Sequence, residues 1–294
     1  MLLGRSRNLK EAAPWDKTFV LCLGSQKCET TWLHDYLNSH RFADFGFAKE
    51  YHIFDCVHVK PWSKGKEAAI QRLLDDVQQQ PAKIRYRVIQ RVNFMVNPES
   101  YFDYFTGRLS KPGIRLTGDM TPAYSALPVQ VLKLIKDGFE ERSIAVRPLL
   151  LMRDPVYRLQ SMVRMTFKKK GVTPTRDQEL AAMKANQLKP GDFLRADYPE
   201  IVKRARSVFG EEGVYIDLFE RLFSDRTREE LGAYLGLPLK APKIHDLKNV
   251  SKTENSLTKE EYDEFRGRYQ KLYSRTGKIT GLDTDRYWCF KEGA

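Results

Sequence analysis

Three stretches of this 294-residue chain carry residue types suited to handling a charged group. The first is Gly24-Ser25-Gln26-Lys27-Cys28-Glu29-Thr30-Thr31. A loop of this kind between a strand and a helix turns several backbone N–H groups toward one point, and the helix dipole adds partial positive charge there. Lys27 supplies a full charge, and Thr30 and Thr31 supply hydroxyl donors. That chemistry suits a phosphate-like anion; the plainer alternative is an ordinary turn with a solvated lysine and capping threonines. The second stretch is Arg153-Asp154-Pro155-Val156-Tyr157-Arg158-Leu159-Gln160-Ser161. Asp154 is a good N-cap and Pro155 a good first helical residue. Ser161 falls about two turns into that helix, on a face shared with Arg158, and an arginine fork plus a hydroxyl suits a terminal phosphate. A helix cap with surface arginines is the alternative. The third is Lys49-Glu50-Tyr51-His52, three ionisable groups in four positions. It sits in an aromatic, β-prone run, Phe45 to Asp55, where a plain strand would leave those groups on the surface.

Short apolar runs must position these residues. Phe19-Val20-Leu21-Cys22-Leu23 reads as a buried strand before the loop, and Trp32, Leu33, Tyr36 and Leu37 recur at helical spacing after it. Pro148 to Met152 is a second apolar strand, which puts Arg153 at its carboxyl end, where open α/β sheets bind ligands. Ile114 to Tyr124 is a short strand running into a loop, and Val214 to Leu222 a later strand. Amphipathic helices are expected over Lys66–Gln80, Pro98–Leu109, Val129–Lys136, Asp225–Leu235 and Thr258–Arg275. The aromatic face of Pro98–Leu109 reads as core. Phe167 to Gln187, basic and then polar, reads equally as a lid or as a solvated insertion.

The whole chain sets bounds. Net charge is +12, spread along the sequence, which suits a polyanionic partner. No recognised nucleic-acid module accompanies it, so no nucleic-acid partner is expected. Cys22, Cys28, Cys56 and Cys289 form neither a Cys-x-x-Cys pair nor a metal spacing. Cys22 reads as a buried thiol. Cys28 reads as a small loop residue, with a reactive thiolate as the alternative. The first 17 residues are charged and lack a signal-peptide core, and no apolar run approaches the roughly 18 residues of a membrane span. These features point to a cytoplasmic protein with reduced thiols.

The first loop is not that of nucleoside-triphosphate enzymes, which needs Gly, four residues, then Gly-Lys-Ser/Thr. It resembles the phosphosulfate-binding loop of sulfotransferases that use 3'-phosphoadenosine 5'-phosphosulfate (PAPS), which reads Lys, a small residue, Gly, Thr, Thr, any residue, Leu. Glu29 stands where that family has Gly, so its carboxylate must point away from the donor or pair with a cation. Lys49-Glu50-Tyr51-His52-Ile53-Phe54-Asp55 resembles the Lys-Glu-x-His-Phe-Phe-Asp of carbohydrate sulfotransferases. Arg153 to Ser161 matches the family's Arg-Asp/Asn-Pro-x-x-Arg-x-x-Ser at every position. Asp119-Met120-Thr121-Pro122-Ala123-Tyr124 is similar to a Glu-Lys-x-Pro-x-Tyr segment that lines the acceptor site, with Met120 where several members have Lys. The resemblance covers roughly residues 17–290 and is nearest in motifs to carbohydrate (heparan-type) and bacterial members.

The resemblance implies an α/β fold: three layers, similar to P-loop NTPases, with a central, mostly parallel sheet flanked by helices. One domain over 18–294 follows an N-terminal arm, 1–17. The implied reaction moves a sulfuryl group from PAPS to a hydroxyl or amine, releases adenosine 3',5'-bisphosphate (PAP) and requires no metal. Residues 24–31 (Gly24, Ser25, Gln26, Lys27, Cys28, Glu29, Thr30, Thr31) would hold the phosphosulfate, with Lys27 stabilising the leaving phosphate. Arg153 and Ser161, with Lys252 from a later loop, would hold the 3'-phosphate. Glu50 would be the general base, His52 the alternative base and Lys49 an electrostatic support. Asp119 and Tyr124 would line the acceptor site. The acceptor stays open among glycan, lipid and small metabolite, and the basic surface suits an anionic glycan. Two alternatives stand beside this: a noncatalytic nucleotide- or polyanion-binding protein on the same fold, and a kinase, against which the missing Gly-Lys-Ser/Thr ending argues.

Overall fold

In a computed structural model, the described residues are 16–62, 64–79, 85–241 and 256–292. Four apolar runs form strands: β1 (Thr18–Cys22), β2 (Leu116–Asp119), β3 (Ala145–Met152) and β4 (Tyr215–Leu218). Among the described residues they make one parallel sheet in the order β2-β1-β3-β4. Register pairs Leu21 with Asp119 on one side of β1 and Cys22 with Leu149 on the other. Alternate residues serve two cores: Phe19 and Leu21 enter the larger, Val20 and Cys22 the smaller. A parallel sheet covered on both faces requires such continuous apolar strands, and the result is the expected three layers.

Helices α1 (Thr30–Asn38), α2 (Phe54–His58), α3 (Lys64–Gln79), α4 (Tyr86–Val96) and α5 (Pro98–Leu109) lie between β1 and β2. Helix α6 (Val129–Glu140) leads to β3. Then come α7 (Pro155–Lys169), α8 (Arg176–Asn186), α9 (Pro190–Ala196) and α10 (Tyr198–Phe209) before β4. Helices α11 (Asp225–Leu235), α12 (Lys259–Arg268), α13 (Gln270–Thr280) and α14 (Thr284–Tyr287) follow it. The aromatic face of α5 is core: Tyr101, Phe102 and Phe105 are buried, and Phe105 meets Phe19 of β1 edge-on at 4.9 Å.

The structure refines three expectations. The β-prone run from Phe45 forms no strand, because the Tyr51 N–H goes to the side chains of Asp119 (3.3 Å) and Thr121 (3.0 Å) rather than to a neighbouring strand. The expected helix over 258–275 is two helices that turn at Tyr269, whose buried hydroxyl donates to Asp192 at 2.5 Å. Most residues of the segment from Phe167 to Gln187 are exposed, but its second half is a helix tied to α7. A capping box at Thr175 and Gln178 starts α8, and buried Glu179 accepts from Gln160 (2.8 Å) and Arg164 (2.9 Å) of α7. No helix among the described residues is long and apolar enough to cross a membrane.

Candidate active site

The end of β1 delivers the chain to Gly24, where φ is +106° and a Cβ would sit 3.2 Å from the Pro122 carbonyl oxygen. Only glycine fits that close approach. The loop is welded to β3 by Ser25 N–H to Leu151 O (2.7 Å) and Leu151 N–H to Gly24 O (3.0 Å). The buried Ser25 Oγ donates to the Arg195 carbonyl of α9 at 2.8 Å. Cys22 and Cys28 are fully buried, and burial pushes both thiols up to about 12, so Cys28 is no thiolate. Lys27 and Glu29 both adopt left-handed backbone, with φ of 73° and 51°. A glycine would take the Glu29 conformation without strain. The Glu29 Oε2 is buried and has no hydrogen-bond partner among the described residues. Burial lowers the Lys27 pKa; Glu29 pulls it back up and Arg153 pushes it down further.

Arg153 closes the loop from the other motif, 126 residues on: its Nη1 donates to the Lys27 carbonyl at 3.1 Å. Its guanidinium lies 4.7 Å above the Phe219 ring. The turn behind it is braced. Asp154 caps α7 through Val156 N–H (2.9 Å) and also accepts from Tyr262 (2.7 Å) and Tyr273. Glu220 accepts from Asp154 N–H and from the Trp288 indole, each at 3.1 Å. Ser161 is half-buried on α7. Arg158, expected to share a ligand face with it, is corrected: it is fully buried and ion-paired to Asp192. Lys252 lies outside the described residues.

The third stretch comes to the same place. Lys49 Nζ donates to Thr30 Oγ1 (3.1 Å), Thr31 Oγ1 (2.8 Å) and Glu50 Oε1 (2.7 Å), so it joins the anion loop to the carboxylate. His52 bridges two acids: Nε2 is 3.1 Å from Glu50 Oε2 and Nδ1 is 2.7 Å from Asp55 Oδ2. Burial would raise the Glu50 pKa, but the His52 hydrogen bond and the Lys49 charge hold it at about 2. Burial disfavours a charged imidazole, but the bonds to Asp55 and Glu50 outweigh it and raise His52 to about 9. At neutral pH Glu50 is therefore a carboxylate and His52 an imidazolium, with both ring nitrogens donating.

Asp119 and Tyr124, the expected acceptor contacts, are corrected too. Both are buried, and the Tyr124 hydroxyl donates to Asp119 Oδ2 at 2.7 Å. Asp119 also accepts from the hydroxyls of Thr121 (2.6 Å) and Tyr101 (3.1 Å), so it has no side free for an acceptor. Burial pushes its carboxyl up to about 6 against those hydrogen bonds.

Sequence reasoning placed Asp55 in the motif that begins at Lys49 but gave it no role, and it missed Trp62 and Arg195 as parts of this region. Asp55 had a signal, since it lies three residues after His52 at the start of a helix. Trp62 and Arg195 had none: the guanidinium lies 4.8 Å above the indole, a contact between distant segments. Burial lowers the Arg195 pKa, and the Arg158 charge adds to that.

No family model matches the chain, and no curated protein matches it. Solved structures do. A sulfotransferase from Alicyclobacillus acidocaldarius matches with a TM-score of 0.58 at 19% identity, over 92% of this chain and 98% of that one. The sulfotransferase domain from the curacin biosynthetic pathway gives 0.49 at 15% identity, over 90% and 96%. The sulfotransferase domain from the Synechococcus PCC 7002 olefin synthase gives 0.48 at 14%, over 92% and 97%. The first likeness shows that this chain has the α/β fold of a sulfotransferase, over nearly its whole length.

Proposed function

We propose that this chain moves a sulfuryl group from PAPS to a hydroxyl or amine of an acceptor. The observation that carries the reading is the convergence on Lys49: one ammonium joins the threonines of an anion loop to a carboxylate suited to receive a proton. The residues fit a polyanionic donor. Gly24 keeps the loop free of a side chain, and Lys27, Lys49 and Arg153 bring three cations to it. When bound, PAPS supplies the sulfuryl group and a leaving phosphate on which negative charge builds.

Residues 24–31 would hold the phosphosulfate, and Arg153 with Ser161 the 3'-phosphate. Lys27 would stabilise charge on the leaving side. Glu50 is the base, and Lys49 sets when it acts. In the free protein Lys49 and His52 hold the carboxylate at about 2, a weak base. Negative charge on the loop draws Lys49 toward it, loosens its hold on Glu50 and raises the proton affinity of that carboxylate. Asp55 keeps His52 oriented through Nδ1, so the imidazolium donates to Glu50 rather than competing for the proton.

Calorimetric titration with PAP, beside adenosine 5'-monophosphate and ATP–Mg²⁺, tests the donor site. Binding is expected to require the 3'-phosphate and to weaken tenfold or more, roughly, in Arg153→Ala. No preference for the 3'-phosphate would overturn the reading. The unpartnered Glu29 Oε2 in the loop favours a second reading, donor binding without transfer. Tight PAP binding with no sulfuryl transfer across an acceptor screen would select it.

A further inference from the structure

Helices α3 and α4 differ from the rest of the surface. Of the sixteen residues of α3 only Ala69 is buried, although Leu73, Leu74 and Val77 give it an apolar face. Of the ten large apolar side chains most exposed among the described residues, five lie on these two helices: Leu74, Val77, Tyr86, Ile89 and Val96. Four of the five gather at one end of the pair. Leu74 and Val77 stand one helical turn apart near the end of α3, and Tyr86 and Ile89 one turn apart near the start of α4. Arg85 and Asp76 clamp that end together at 3.0 Å.

The charged residues around this end are three arginines against two acids. Arg72, Arg85 and Arg87 are exposed, and two of them flank Tyr86 directly. The acids on the same end, Asp75 and Asp76, are half-buried, and Asp76 is taken up by Arg85. An exposed tyrosine between two arginines, with aliphatic side chains beside it, matches what a lipid–water boundary selects. The aromatic ring and aliphatic groups enter the boundary, and the long cationic chains reach the headgroups. A second copy of the chain is the poorer occupant, because it would bring the same cations and a net charge of +12 against them.

We propose that the face formed by the end of α3 and the start of α4 docks on an anionic lipid surface. Docking there is coupled to the candidate active site by position. The Tyr86 ring meets Phe47 edge-on at 5.8 Å, and Arg91 Nε donates at 2.8 Å to the carbonyl of Tyr51, between Glu50 and His52. The docked face therefore lies beside the Glu50 cluster, and the proposal does not depend on the reaction proposed above.

Co-sedimentation of the full chain tests it, with vesicles of phosphatidylcholine alone and of phosphatidylcholine mixed with phosphatidylglycerol. The chain is expected to bind the mixed vesicles, with affinity falling as salt rises, and to leave the neutral ones free. Leu74→Ser/Val77→Ser/Ile89→Ser is expected to abolish binding. Arg72→Gln/Arg87→Gln is expected to weaken it roughly fivefold per arginine. Unchanged thermal melting and circular dichroism would establish that both variants fold, as the exposure of all five residues predicts. Failure to bind mixed vesicles, equal binding to neutral ones, or binding that the triple variant leaves intact would each overturn the proposal. Capture of an acidic protein by this face without vesicle binding would do so as well.

Discussion

Glu50 and Asp119 stand on either side of Tyr51, and their environments drive them in opposite directions. Glu50 is partly exposed and held by an ammonium and an imidazolium, and its pKa falls to about 2. Asp119 is fully buried and held by hydroxyls and backbone N–H groups, and its pKa rises to about 6. Dipoles satisfy the lone pairs of a carboxylate but do not offset its lost hydration, whereas full charges do. One carboxylate is thereby kept ionised and partly exposed. The other ties β2, α5 and the Tyr51 turn together.

Breaking each carboxylate should separate the two roles. Glu50→Gln is expected to lower sulfuryl transfer roughly a hundred- to ten-thousandfold while PAP binding and thermal melting stay near wild type. Asp119→Ala should do the reverse. It orphans the hydroxyls of Thr121, Tyr101 and Tyr124 in the core, at a cost of about 3 kcal/mol or more, read by urea unfolding.

A smaller effect appears in the pH dependence of stability. Glu50 is depressed, so its contribution is present above about 4.5 and lost as pH falls toward about 2. His52 is raised, so its contribution is full below about 6.5 and lost as pH rises through about 9. Asp119 is a raised carboxyl, so its contribution declines as pH rises from about 3.8 to about 6. His52→Gln should flatten the decline above neutrality, and Asp119→Asn the one between about 4 and 6, in unfolding followed across pH. The smallest effect concerns Glu29, whose buried Oε2 has no hydrogen-bond partner among the described residues. Glu29→Gly should gain about 1 kcal/mol by relieving the left-handed backbone, and tighten PAP binding.

What was legible in the sequence was local. The strand, loop and helix around Lys27 are contiguous, and their apolar spacing and turn residues suffice to place them. Helices α5 and α11 have the expected ends because Pro98 starts one, and Ser224 and Gly236 bound the other. The failures lie where a distant partner decides. Asp119 and Tyr124 read as site residues because a sequence does not show that Tyr101 and Thr121 close around them. Arg158 read as a ligand fork because Asp192, its ion-pair partner, is 34 residues away. The run from Phe45 is β-prone by composition, but the N–H groups of Phe45, Gly46, Phe47 and Tyr51 go to side chains, which no hydrophobic alternation encodes. Within the candidate site, Lys27, Lys49, Glu50 and Arg153 stand near one another in the fold, and only the fold shows that Lys49 binds the loop threonines.

The bracing of the Arg153 turn has a consequence for how the chain is made. The backbone bonds of the anion loop can form once β3 has emerged from the ribosome, since they go to Leu151. The turn that carries Arg153 must wait for Glu220, Tyr262, Tyr273 and Trp288, which are translated 66 to 134 residues after Asp154. A nascent chain thus acquires one half of its candidate donor site well before the other. A premature stop shortly before Tyr262 would leave the sheet, its loop and the arginine's own contacts in place, but Asp154 without the two tyrosine hydroxyls that brace the turn.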